Sequence, residues 1–443
     1  MLKRPVKNFY NTKNKQMKHI FTILIFLCLL PVNSQNFNSY FTGETENIDT
    51  NPTFGICLMG GASEDDQAMQ WFLNKADGGD VVVIRTSGSD GYNDYFYTDL
   101  GIDINSVETL VIHNENGATD PYVINAIENA EAIWFAGGNQ ATYVNFFRAN
   151  AMNEALNNHI NVKQAPIGGT SAGMAIMGEF YFDAINGSVT SDQALNNPYG
   201  SSVSIGQGEF LTNPFLQNTI TDTHYNNPDR KGRHSVFISR IVEETQDIAY
   251  GIAADEFVGI CIDENGEAIV FGEYPDFDDY AYFIQANCED DLLPEILEEN
   301  QALTWNKGNK ALKVYQLPAT STGNNSFDVN TWEDGNGGDW QAWWVEEGEF
   351  LNEMTNDFEC ETFSAQAFEA NSIHIYPNPT ANFLEIQSDI SIDEIQLFTL
   401  GGKAIQLTNK ENNRLDLSGM PNGIYLLELR LREKTVTKKI IKK

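Results

Sequence analysis

The run Gly168-Gly169-Thr170-Ser171-Ala172-Gly173-Met174-Ala175 is the strongest chemical signal in this 443-residue chain. It follows the apolar stretch Ala165 to Ile167 and holds Gly-x-Ser-x-Gly at Gly169, Ser171 and Gly173. A serine on a sharp strand-to-helix turn keeps its hydroxyl above a sheet, and small neighbours let the backbone fold that tightly. The spacing predicts a nucleophile at Ser171, with the N–H groups of a following helix turned toward developing negative charge. Such a serine needs a base, usually histidine. His374 lies in a β-rich C-terminal stretch, His159 in an Asn-rich turn, and His113 ends a strand-like run. Of His224 and His234, His224 is the better candidate: it stands in Asp222-Thr223-His224-Tyr225, ahead of an arginine-containing loop and after Ser171 in the chain.

The elements that must position these residues show in the hydrophobic pattern. Short apolar runs at Phe54 to Met59, Asp80 to Arg85, Val107 to Ile112, Ala132 to Phe135 and Ala165 to Gly169 alternate with helix-length stretches. The helical stretches are Asp65 to Ala76, Pro121 to Asn129 and Gln140 to Asn157. This alternation predicts βαβ units and a parallel sheet flanked by helices. In such α/β folds ligands bind beyond the carboxyl ends of the strands. The pairs Gly60-Gly61, Gly137-Gly138 and Gly168-Gly169, with Gly88, all fall there.

Composition bounds the setting. The formal charge of -35 makes nucleic acid an improper partner and favours cationic substrates or counter-ions. Lys13, Lys15 and Lys18 precede the apolar run Ile20 to Leu30, which reads as a secretory signal peptide over 1–34. Cys57 and Cys261 lie in apolar runs and read as buried thiols, whereas Cys288 and Cys360 lie in loop-like sequence where pairing stays open. The cysteine spacings do not resemble a zinc site, and no metal or organic cofactor is expected. The acidic stretch 291–368, with Trp305, Trp332, Trp340, Trp343 and Trp344, is read as loops at the end of a catalytic domain, with a further strand at Ala311 to Leu317. Packing is the favoured role for those tryptophans.

Taken together, these residues resemble the cyanophycinase branch of the family that includes peptidase E, over about Phe54 to Glu267. The resemblance implies a flavodoxin-like (class I glutamine amidotransferase-like) α/β domain, spanning 35–368 with its core at 53–290. It aligns Ser171 with the nucleophile and His224 with the base; the family's Asp-Gln-His-Phe motif retains Asp222 and has Thr223 for Gln. The family's Gly-Gly-Asx-Gln turn becomes Gly137-Gly138-Asn139-Gln140. By resemblance the Gly138 and Ala172 N–H groups form an oxyanion hole, and Gln140, Asp222 and Thr223 line the substrate pocket. Glu256, in Gly251-Ile252-Ala253-Ala254-Asp255-Glu256, becomes the acid that orients His224, with Asp255, Asp222 and Asp183 as alternatives. Cyanophycinases carry three arginines after the histidine; here the first position is Pro228, and the others are Arg230 and Arg233. That departure puts cleavage of cyanophycin itself in doubt and keeps a carboxylate-binding pocket.

From Ser372 onward, short strands alternate with the turns Gly401-Gly402 and Pro421-Asn422-Gly423, which predicts a small all-β sandwich over 373–443. The Tyr376-Pro377-Asn378-Pro379 opening, the Asn422-Gly423-Ile424-Tyr425 turn and the basic end resemble the C-terminal sorting domain of the type IX secretion system of Bacteroidetes. That likeness implies passage through the periplasm, handling by the secretion machinery, and a secreted or surface destination. The expected activity is hydrolysis of a peptide or β-aspartyl-like polymer, with an aspartyl dipeptidase or a catalytically degenerate adhesion protein as the alternatives; a homodimer is compatible with the sequence.

Overall fold

The computed structural model describes residues 35–360, 373–388, 392–399, 403–405, 410–411, 414–431 and 434–443. The expected signal peptide at 1–34 and the end of the Trp-rich stretch at 361–368 lie outside the described residues. Contact between residues divides the chain into two compact units, with the boundary between Glu359 and Cys360.

The first unit is built on β1 (Phe37–Gly43), β2 (Gly55–Met59), β3 (Asp80–Arg85), β4 (Ser106–Ile112), β5 (Ala132–Phe135) and β6 (Ile167–Thr170). It continues through β7 (Phe180–Phe182), β8 (Ile205–Gln207), β9 (Thr219–Asp222), β10 (Tyr250–Ala254), β11 (Gly259–Asp263) and β12 (Glu267–Phe271). It ends with β13 (Tyr280–Ala286), β14 (Leu312–Pro318), β15 (Ser326–Asp328), β16 (Gly335–Asn336), β17 (Asp339–Glu346) and β18 (Glu349–Met354). The helices that matter here are α1 (Asp66–Asn74), α2 (Glu115–Ala118), α3 (Pro121–Asn129), α4 (Gln140–Phe147), α5 (Ala151–Asn158), α6 (Ser191–Asn196) and α7 (Lys231–Thr245).

A ten-stranded sheet runs in the order β1-β4-β3-β5-β6-β2-β11-β12-β15-β16. Its centre, β4-β3-β5-β6-β2, is parallel, and antiparallel strands extend it on both sides. Four of the parallel strands follow the order of a doubly wound sheet, and the next place is filled by β2, which comes before them in the chain. All five β2 residues are buried, as a strand covered on both faces requires. Cys57 and Met59 face α1, while Ile56 and Leu58 face the opposite core.

That opposite core is shared with a second sheet, of eight strands, ordered β18-β17-β14-β13-β10-β9-β7-β8. Here the sequence expectation changes: besides the expected strand, which is β14, the stretch read as Trp-rich loops supplies β15 through β18, strands of both sheets. The pattern of β17 explains it, because Gln341, Trp343 and Val345 are buried at alternate positions, with Ala342 buried as well, along a strand whose ends stay exposed. Trp305 and Trp343 are fully buried beside Val236, Phe237 and Ile241 of α7, so these tryptophans pack rather than present a binding face. The single helix expected over Gln140 to Asn157 is two, because Ala149 takes φ +56° and Asn150 caps a new helix by accepting from the N–H groups of Met152 and Asn153.

The second unit is all β. Two four-stranded sheets enclose a core that includes Leu384, Ile386, Leu397, Leu415, Leu427 and Ile440. Cys57 and Cys261 are buried free thiols, and Cys288 and Cys360 are both disulfide-bonded.

Candidate active site

Three neighbouring strands, β5, β6 and β2, end side by side, and the segments that follow them hold Gly137-Gly138, Ser171 and Gly60-Gly61. Ser171 sits at φ +51°, a left-handed conformation that costs an ordinary residue about 1 kcal/mol. Its N–H donates to the Met59 carbonyl at 3.0 Å, which ties the turn to β2. The flanking glycines are required by contact. A Cβ on Gly173 would lie 2.2 Å from the Phe135 carbonyl oxygen, and one on Gly169 would lie 2.6 Å from the Gly173 backbone. The helix expected after Ser171 is only the 3-10 turn Met174–Ile176, since β7 begins at Phe180. A three-residue turn has no appreciable dipole, so what remains for a negative charge is individual N–H groups. The Gly138 and Ala172 amides have no protein acceptor among the described residues, and both residues line the cavity at Ser171.

His224 and Glu256 arrive from the second sheet, just past the ends of the parallel pair β9 and β10. The His224 N–H donates to the Gly60 carbonyl at 2.7 Å, which joins the two sheets at this point. Ser171 Oγ lies 2.8 Å from His224 Nε2, and His224 Nδ1 lies 2.7 Å from Glu256 Oε1. With the imidazole proton on Nδ1, the ring donates to Glu256 and accepts from the hydroxyl. Glu256 also accepts from Asn227 Nδ2 at 3.1 Å, and its N–H donates to Asn226 Oδ1 at 3.2 Å. Hydrogen bonds from His224, then Asn227, outweigh partial burial and hold the Glu256 carboxyl below its usual range.

The alternative acids are engaged elsewhere. Asp183 accepts from the Ile185 N–H, and Asp255 from the Tyr280 N–H. Burial pushes the Asp255 carboxyl up to about 7. Asp222 is bonded through both oxygens to Arg233, at 2.8 Å and 2.5 Å. Burial alone would raise the Asp222 carboxyl, but Arg233, His234 and Arg230 bring it below its usual range.

A cavity of about 370 Å³ opens beside Ser171, lined by Gly138, Gln140, Thr223, His224, Arg230 and Arg233 among others. The two arginines are not equivalent there. Arg233 is 3% exposed, with its Nη1 donating to the Val189 carbonyl and its plane over Phe182 and Phe237. Arg230 keeps a looser ion pair to Asp222 at 3.6 Å, and its Nε is buried with no partner. Of the two arginines expected to grip a carboxylate, Arg233 is therefore held by Asp222, while Arg230 is the more loosely engaged. Gln140 opens α4 at the rim, and Thr223 is buried with its N–H on Asp222. Among the described residues, no group of three or more His, Cys, Asp or Glu has a metal-holding arrangement.

Sequence reasoning gave no role to Gly61, Asn226 or Asn227. A Cβ on Gly61 would lie 2.5 Å from His224 Nε2, so the imidazole lies against bare backbone. The Gly60-Gly61 pair after β2 was the available signal; nothing in the sequence marked the two asparagines.

Comparison with known proteins now bears on this geometry. The first unit has a mixed α/β architecture, and its residues 63–269, which contain Ser171, His224 and Glu256, match the model for Peptidase family S51. Residues 374–443 match the Secretion system C-terminal sorting domain, a tail that directs a protein out of the cell or to its surface. No curated protein matches. Among solved structures, a peptidase from an acI-B1 Actinobacterium is 13% identical, covering 63% of this chain and 98% of its own, with a TM-score of 0.40. A putative peptidase E protein from Listeria monocytogenes EGD-e is 17% identical, covering 49% of this chain and 98% of its own, with a TM-score of 0.32. Scores this low leave the architecture resting on the chain's own strand order.

Proposed function

We propose that this protein is a secreted serine peptidase that hydrolyses peptide or isopeptide bonds on the carbonyl side of an acidic residue, including β-aspartyl links. The observation that carries the reading is the hydrogen-bonded chain from Ser171 through His224 to Glu256, at 2.8 Å and 2.7 Å. His224 Nε2 takes the hydroxyl proton as Ser171 Oγ attacks the scissile carbonyl carbon, and Glu256 steadies the imidazolium. The carbonyl oxygen becomes an oxyanion facing the Gly138 and Ala172 N–H groups. His224 then hands the proton to the leaving nitrogen, the C–N bond breaks, and an ester remains on Ser171. Water repeats the sequence: His224 removes its proton as its oxygen attacks the ester carbon, the C–Oγ bond breaks to release the acid product, and the proton passes from His224 to Ser171 Oγ. Arg230, which lines the cavity and is held only by a loose ion pair to Asp222, is the group that receives the substrate carboxylate.

The test is hydrolysis of β-aspartyl-arginine polymer and of α- and β-aspartyl peptides by the secreted chain, beside Ser171→Ala. Cleavage that disappears in the variant is the expected result, and polymer against dipeptide separates a cyanophycinase-like enzyme from an aspartyl dipeptidase. A folded protein inert across the panel contradicts the reading.

A further inference from the structure

A second recess adjoins the candidate site. It is an open cavity of about 580 Å³, walled by Glu64, Asp65, Glu273 and Asp279 together with the rings of Phe257 and Phe277. The two rings are 51% and 60% exposed. Asp279 is only 6% exposed; its Oδ2 accepts from the Glu273 N–H at 2.8 Å, and its Oδ1 takes no hydrogen bond among the described residues, leaving it to the cavity. None of the four carboxylates has an ion pair among the described residues. They are not grouped as a metal site would be. Burial raises the Asp65 carboxyl despite the N–H groups of Ala68 and Gln67 that it caps, and the negative charges of Asp66 and Glu273 add to the rise.

The recess is placed by the imidazole. The Gly61 carbonyl accepts from the N–H groups of Phe257 at 3.0 Å and Ser63 at 3.1 Å, and Gly61 is the residue against which His224 lies. Phe257 directly follows Glu256. An imidazole that returns its proton to the leaving nitrogen must have the leaving residue beside it. We propose that this recess is the subsite for the substrate residue on the leaving-group side, and that it takes a cationic side chain, lysine or arginine. The inference rests on the peptidase reading above. An aliphatic stem or guanidinium plane lies on the phenyl rings, and the cationic head meets carboxylates that have no other counter-ion. With Arg230 on the acyl side, the substrate acquires a direction, acidic before the scissile bond and basic after it.

The experiment uses matched aspartyl peptides, α- and β-linked, that differ only in a leaving residue of lysine, alanine or glutamate. For the wild-type chain the expected order of kcat/KM is lysine, alanine, glutamate, with about tenfold between the first two. The pair Glu273→Gln and Asp279→Asn should raise KM for the lysine peptide to the alanine value, removing the preference between the two peptides. Glu273→Lys, at an exposed position, should favour the glutamate peptide. Calorimetric binding of the same peptides to Ser171→Ala separates the two proposals. Tighter binding of the lysine peptide, reversed by adding Glu273→Lys, supports the subsite even if the wild type cleaves nothing, in which case the peptidase reading falls alone. Equal binding of all three peptides, with cleavage equal or absent, overturns the subsite.

Discussion

Arg230 and Arg233 stand three residues apart at the start of α7, yet the structure gives them different physical work. Removing Arg233 strands the Asp222 charge in a site that is 3% exposed. Breaking a buried pair from one side costs about 3–5 kcal/mol. Arg233→Gln is therefore expected to lower unfolding free energy by about 3 kcal/mol, the low end because Arg230 remains near, as urea melts would show. Arg230→Gln should leave the melt within about 0.5 kcal/mol and raise KM for aspartyl substrates at least tenfold, with a smaller change in kcat. Equal effects of the two changes on stability would contradict this division. The sequence presents both as basic residues after a histidine; that one is clamped between Phe182, Phe237 and Asp222 depends on α7 folding back over β9, which spacing alone does not reveal. The small residues around Ser171 and the run Asp222-Thr223-His224 stand out in the sequence because each is a local pattern, whereas their contact at 2.8 Å depends on the two sheets meeting. The choice of Glu256 over Asp255 needed the turn after β10, where successive side chains point opposite ways.

At the level of elements, the strained turn holds the chemistry. Ser171 at φ +51° is a residue in a conformation that suits glycine, held there by β2, β6 and the close approach of Gly173 to Phe135. Ser171→Gly should stabilise the fold by about 1 kcal/mol while abolishing turnover, a pairing that thermal melts and hydrolysis assays check together. A loss of stability in that variant would mean that the hydroxyl, not the backbone, fixes the turn. The parallel strands were readable because each is a continuous apolar run buried on two faces. Beyond β14, which the sequence marks as a strand, β15 to β18 were not readable, since they are antiparallel and separated by Gly- and Asn-containing turns that dilute their alternation. The two helices α4 and α5 merged in the sequence because one capping asparagine, Asn150, is a weak mark among many asparagines.

For the whole molecule, the formal charge of -35 and the sorting tail describe a protein made to work outside the cell. Its response to acid has a second component in the buried histidines. His159 is buried with Nδ1 unpartnered, and burial lowers its pKa from 6.5 to about 4. Above pH 6.5 the ring is neutral whether folded or unfolded and does not tilt the balance. As pH falls from 6.5 to 4 the unfolded chain takes up the proton and the folded chain does not, so stability declines, by about 2 kcal/mol at pH 5 from this residue. The stability gap between the wild type and His159→Gln should therefore narrow by that amount between pH 7 and pH 5 in urea melts; a gap independent of pH would show that the ring titrates normally in the fold. His159 read in the sequence as part of a polar turn, because its neighbours are asparagines and its burial comes from elements distant in the chain.

The central claim is that Ser171 is activated by His224. The direct measurement is the rate at which a fluorophosphonate forms a covalent adduct, mapped by mass spectrometry, on the full chain and on His224→Ala. The account predicts an adduct on Ser171 in the wild type and a rate at least about a hundredfold lower without the histidine. A folded wild type that stays unlabelled at Ser171, or a His224→Ala variant labelled there just as fast, would contradict it.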